Sequence, residues 1–92
     1  MKNIVYGSST VLVSDDVAEA LMHYGAALAM ARTGDVVNVP TVDDEGFPME
    51  ASLLLGPGVP MLAMPAPDDA LEQEAPEFVA DLTDRMRAAL AG

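Results

Sequence analysis

Apolar residues begin the chain in short β-type runs. Asn3–Tyr6 and Thr10–Val13 are rich in β-branched and aromatic residues and flank Gly7-Ser8-Ser9, which predicts a β-hairpin. The pattern then lengthens to a helical period. Ser14 or Asp16 can cap the free N–H groups, Glu19 stands three residues after Asp16 in a capping-box relation, and Gly34 suits a C-terminal stop. A helix over about Asp15 to Thr33 follows.

Beyond Gly34 the period returns to strands. Val36, Val37, Val39 and Val42 read as one strand, Asp43-Asp44-Glu45-Gly46 as a turn, and Phe47–Leu55 as its partner. Gly56-Pro57-Gly58 is a second turn, and Val59–Met64 a further strand between prolines. Short turns joining three strands predict an antiparallel meander. Residues 65–75 form a connector rich in proline and acids, with a helical turn expected near Asp69–Glu74. A last helix starts at Pro76, carries Phe78, Val79, Leu82, Met86 and Leu90 as its apolar stripe, and pairs Asp81 with Arg85 at i,i+4. The expectation is one α+β domain over 1–92, ordered ββαβββα, with an antiparallel sheet and two helices packed on it.

The first helix departs from a simple amphipathic pattern. At ~100° per residue its core side is Val17, Leu21, Tyr24, Gly25 and Leu28. The opposite side holds Asp16, Glu19, Ala20, His23, Ala26, Ala27 and Met30, with fewer long charged residues than a solvated face usually carries. Either the protein's own chain or another subunit covers part of it, or its alanines stand exposed simply as good helix formers. Ala20, His23, Ala26, Ala27 and Met30 are therefore the candidate protein interface, and a two-fold homodimer is the first form to expect.

Composition narrows the function classes. An apolar fraction of 51% supplies a core, which a disordered chain would lack. Fifteen acids against four bases, a net charge of −11, repel phosphate backbones and anionic membranes, so neither nucleic acid nor a membrane surface is an expected partner. A basic protein partner remains compatible with that charge. The absence of cysteine removes thiol chemistry and disulfides and fits a cytoplasmic protein. Met1-Lys2-Asn3-Ile4 does not open a signal peptide, and no apolar stretch is long enough to span a bilayer.

Chemistry finds little support. His23 is the only histidine, and Glu19 at i−4 makes it at most a weak general-base or ligand candidate. The acidic groups Asp15-Asp16, Asp43-Asp44-Glu45 and Asp68-Asp69 with Glu72 and Glu74 are explained by caps and turns, and the second lacks the alternating spacing of a Ca²⁺ loop. Gly56-Pro57-Gly58 has no following Lys, Ser or Thr to make a phosphate cradle. Ser8, Ser9 and Thr10 have no base placed beside them. No catalytic, cofactor-binding or metal-binding residue is assigned, and no cofactor is expected. The methionines, Met22, Met30, Met49, Met61, Met64 and Met86 among them, are expected mostly in the core.

Tyr6-Gly7-Ser8-Ser9, the strand after it and Ser14-Asp15-Asp16 leading a helix resemble a set of small, uncharacterised actinobacterial proteins of similar length. The likeness extends in pattern to Ala51–Leu55, Val59–Met64 and the closing helix, and it implies no functional residues. The leading expectation is a non-enzymatic, self-associating interaction or accessory domain. The alternative is a small-molecule or ion-binding domain, an enzyme among the forms it could take, with a pocket between sheet and helices.

Overall fold

The computed structural model describes residues 1–67 and 75–91. Its elements are β1 (Lys2–Tyr6), β2 (Ser9–Val13), α1 (Asp15–Ala31), β3 (Asp35–Val42), β4 (Pro48–Leu55), β5 (Met61–Pro65) and α2 (Pro76–Ala91). The order is the expected ββαβββα of an α+β fold. The helical turn expected near Asp69–Glu74 lies outside the described residues.

All strand pairs are antiparallel, but the strands divide into two sheets. One has the order β2-β1-β5 and the other is the β3-β4 hairpin. The meander expected over the last three strands does not form, because β5 leaves β4 and pairs with β1, Tyr6 opposite Met61 and Lys2 opposite Pro65. The reason lies in the loop between them. Pro57 and Gly58 occupy the central positions of a turn closed by Val59 N–H donating to the Gly56 carbonyl at 3.3 Å, and Gly58 has φ 78°. That is the residue pair a type II turn demands. Pro60 then lacks the N–H that a ladder with β4 would need. The chain turns away and closes the free edge of β1 instead.

Helix α1 begins where expected, with Ser14 as its cap: the Ser14 hydroxyl accepts from the Val17 N–H at 3.3 Å. Its end differs from expectation. The helix stops at Ala31, and Arg32, not Gly34, takes the left-handed conformation at φ 55°. The Arg32 and Thr33 N–H groups satisfy the Ala29 and Leu28 carbonyls, so the chain ends are closed two residues early. Gly34 serves another purpose. A Cβ there would lie 3.2 Å from the Leu55 carbonyl oxygen, and one on Gly56 would lie 3.2 Å from the Gly34 Cα. The two glycines let the α1–β3 loop and the end of β4 touch.

The core is built from inward faces of both sheets and one side of α1. Ile4, Val13, Val37, Val39, Leu53 and Leu55 meet Val17, Ala18, Leu21, Tyr24 and Leu28. The Leu53-Leu54-Leu55 run splits by the strand period, with Leu53 and Leu55 inward and Leu54 exposed. Helix α2 packs along α1 and adds Leu82, which is 1% exposed, while Phe78, Val79 and Met86 pack against the same cluster. Leu90, expected in that stripe, is exposed, while its neighbour Ala89 packs against the core. The methionines also divide: Met61 and Met86 join the core, whereas Met30, Met49 and Met64 are exposed. Among the described residues no helix is long and apolar enough to cross a membrane.

Candidate functional site

The five residues singled out on α1 do not form one surface. Ala27 is 2% exposed and Ala20 packs against the core, whereas His23, Ala26 and Met30 are exposed, Met30 at 75%. Ala20, Tyr24 and Ala27 lie along one flank of the helix, and α2 runs beside that flank: Arg85 of α2 reaches the same Asp35 carboxylate that Tyr24 donates to. At Ala20 and Ala27, then, the cover is the protein's own second helix. Small side chains there allow the two helices to approach closely.

The polar link across these elements is compact. Tyr24 donates its hydroxyl to Asp35 Oδ2 at 2.6 Å, Arg85 Nη1 donates to the same oxygen at 3.1 Å, and the Val36 N–H donates to Oδ1 at 2.9 Å. Arg85 Nε also pairs with Asp81 at 3.0 Å, as the i,i+4 spacing predicts. The Tyr24 hydroxyl and the other donors hold the Asp35 carboxyl below the usual carboxylate range. Burial, reinforced by the Asp35 carboxylate, pushes the Tyr24 phenol up to about 12. These contacts join α1, β3 and α2.

Other chemical candidates are likewise absorbed or isolated. Asp43 Oδ1 accepts from the Glu45 and Phe47 N–H groups, each at 2.9 Å, so that acid builds the β3–β4 turn. Gly46 has φ 86°, as its turn position predicts. Asp15 pairs with the amino group of Met1 at 3.1 Å. Among the described residues no three His, Cys, Asp or Glu side chains converge as a metal site would need. A hollow of about 660 Å³ is lined by Ser14, Asp15, Asp16, Ala75, Pro76 and Val79, between the N-terminal ends of the two helices and away from His23.

One surface without an internal explanation is the outer face of the three-stranded sheet. In the β2-β1-β5 sheet, Ile4, Tyr6, Val11, Val13, Met61 and Ala63 face inward and all belong to or pack on the core. The alternate positions form two cross-strand rows on the outer face, Thr10–Val5–Leu62 and Leu12–Asn3–Met64. No charged residue is among these six. Leu62 is 53% exposed and Met64 48%, while Val5 and Leu12 are partly buried by their neighbours. On the β2 side Thr10 and Leu12 share a hollow with Thr41, Asp43, Asp44 and Met49 of the β3–β4 hairpin, whereas Leu62 and Met64 stand open among the described residues.

Its sequence signal is the missing alternation in Val11-Leu12-Val13 and Met61-Leu62-Ala63-Met64. A strand with one wet face alternates apolar and polar residues, whereas a strand covered on both faces is apolar throughout. Compared with known proteins, the chain matches no family model, no curated protein and no solved structure.

Proposed function

We propose that this chain is a non-enzymatic, self-associating accessory domain, and that two copies meet through the outer face of the β2-β1-β5 sheet. The observation that carries the reading is that strands with the composition of doubly covered strands have a helix-side cover on one face only. Charge favours a second copy as the occupant. Among the described residues no acid lies in the two outward rows, and Asp43 and Asp44 border them only at the Thr10 and Leu12 edge, so a two-fold contact centred on Leu62, Met64 and Val5 brings none of these acids into its middle although each chain carries −11. A partner recognised by charge would seek the acids and leave this face wet. A small core of this size gains stability from such a contact. Nucleic acid and anionic membranes remain poor partners for so acidic a chain, and a cytoplasmic, bacterial setting without cofactor belongs to the same reading.

Light scattering coupled to gel filtration tests it on three substitutions. Leu62→Glu and Met64→Glu each convert a dimer to a monomer, while Met30→Glu, on the exposed end of α1, leaves the dimer intact. A dimer dissolved by Met30→Glu and untouched by Leu62→Glu would move the interface to the α1 surface of His23, Ala26 and Met30. A wild-type protein that is monomeric at millimolar concentration removes self-association altogether.

A further inference from the structure

Strand β5 ends its sheet, and ladder geometry shows which of its backbone groups point to the open edge. The Ala66 N–H donates to the Met1 carbonyl at 3.0 Å, and Met1 stands opposite Ala66 in the register of β1 and β5. Antiparallel pairs alternate between hydrogen-bonded and non-bonded, so Asn3–Met64 and Val5–Leu62 are the bonded pairs. Pro65, which has no N–H to give, falls opposite Lys2 in a non-bonded pair, as the same alternation requires. The N–H and C=O groups of Met61 and Ala63 therefore point away from β1. Among the described residues no strand pairs with that edge. Exposed edges are usually blunted by charge, a bulge or a covering element, and Met61–Pro65 carries no charged residue.

The edge has a wall beside it. A Cβ on Gly25 of α1 would lie 3.4 Å from the Met61 methyl carbon. At the other end Met1 accepts from the Ala66 N–H and holds its amino group 3.1 Å from the Asp15 carboxylate. Gly25 to Asp15 is about 15 Å of helix and Met61 to Ala66 about 17 Å of strand, so the two elements run side by side in opposite directions. Beside Met61 lies a hollow of about 280 Å³ whose helical wall is Met22, Gly25, Ala26 and Ala29. This flank of α1 is turned from the one that α2 covers. Its small residues leave room for the side chains of one extended segment. Followed towards the start of α1 in steps of three and four, the stripe of Ala26 and Met22 reaches Glu19 and Asp15, both exposed acids.

We propose that this groove binds an extended peptide that adds to β5 as a further antiparallel strand, with small apolar residues against α1 and a lysine or arginine at its N-terminal end. Backbone bonds to Met61 and Ala63 supply affinity that does not depend on sequence, and the alternate side chains facing α1 supply selectivity. The direction follows from the ladder. A strand antiparallel to β5 starts beside Pro65, so its first residues meet Asp15 and Glu19. Charge selects such a peptide over a second copy of the chain, because β5 has no cation to bring to those acids. The edge is distinct from the outer face of the sheet, so this binding does not rest on self-association.

Random octapeptides displayed on phage and selected on immobilised wild-type protein test it. The expected consensus is a basic residue followed by alternating small apolar residues. Synthetic peptides of that sequence are expected to bind in solution, and to bind about tenfold more weakly once the amides that face β5 are N-methylated. Ala26→Arg puts bulk and a cation on the groove wall at an exposed position that the fold does not need, and it is expected to weaken binding by about tenfold as well. Ala63→Pro, which removes one edge N–H and no ladder bond, is expected to act in the same direction. No enriched sequence overturns the proposal, as does a selected peptide whose binding survives N-methylation or Ala26→Arg. Peptide binding that weakens as protein concentration rises would give the edge to a second copy, and overturns it too. A wild-type chain that stays monomeric removes the sheet-face reading and leaves each of these outcomes unchanged.

Discussion

Asp35 shows how one carboxylate can hold three elements together. Its folded-state pKa is depressed by the donors around it, so the stability it contributes is present above the ordinary carboxylate range, near pH ~4, and is lost as pH falls through the lower folded value. Asp35→Asn should lower stability by about 1 kcal/mol at neutral pH, a figure already reduced for a side chain one-third exposed, and should flatten the acid limb of the stability curve. Chemical denaturation from pH 2 to 7 measures both; an unchanged acid limb would show that Asp35 is not the titrating group. Tyr24 works at the other end of the scale. Its phenol is raised to about 12, so its contribution is complete below pH 10 and decays as pH rises through the folded value. Stability is expected to fall by about 2 kcal/mol between those pH values in the wild type. Tyr24→Phe should cost about 1 kcal/mol at neutral pH and remove that alkaline decline. A decline of the same size in both proteins would contradict the assignment.

At the scale of elements, α2 stands or falls with Leu82. Leu82→Ala leaves a cavity where α2 meets the core and should destabilise the domain by about 2–5 kcal/mol. Leu90→Ala, one face of the same helix but exposed, should change it by less than about 0.5 kcal/mol, which thermal melts of the two variants compare directly. The order and type of all seven elements could be read from periodicity, caps and turn residues, because Ser14, Gly46 and Pro76 act locally. Sheet topology could not, since β5 pairs with a strand more than fifty residues earlier and only the Pro57-Gly58 turn and Pro60 hint at the departure. Gly34 misled for a related reason. Its role is contact with Gly56, distant in the chain, so it looked like the stop of a helix that Arg32 ends. The candidate site was half legible. The alanines of α1 did signal a covered face, but α2 accounts for Ala20 and Ala27, and the unalternating strands β2 and β5 carried the stronger signal.

For the whole molecule the governing feature is a separation of charge from apolar surface. Among the described residues the acids lie on the helices and in the β3–β4 hairpin, and the outward rows of the three-stranded sheet carry none. Long-range repulsion between two chains of −11 opposes association, and salt screens it. Self-association through the sheet face should therefore tighten as salt rises, whereas a complex held by acids on a basic partner would loosen. The most direct test is sedimentation equilibrium of the wild type and Leu62→Glu over a range of protein concentrations, at low and at high salt. The weight-average mass of the wild type is predicted to climb from 9.6 kDa toward twice that value with concentration, and to climb at lower concentration when salt is high, while Leu62→Glu stays at the monomer mass in the same range. A wild-type mass fixed at 9.6 kDa at every concentration and salt, or one that Leu62→Glu leaves unchanged, would contradict it.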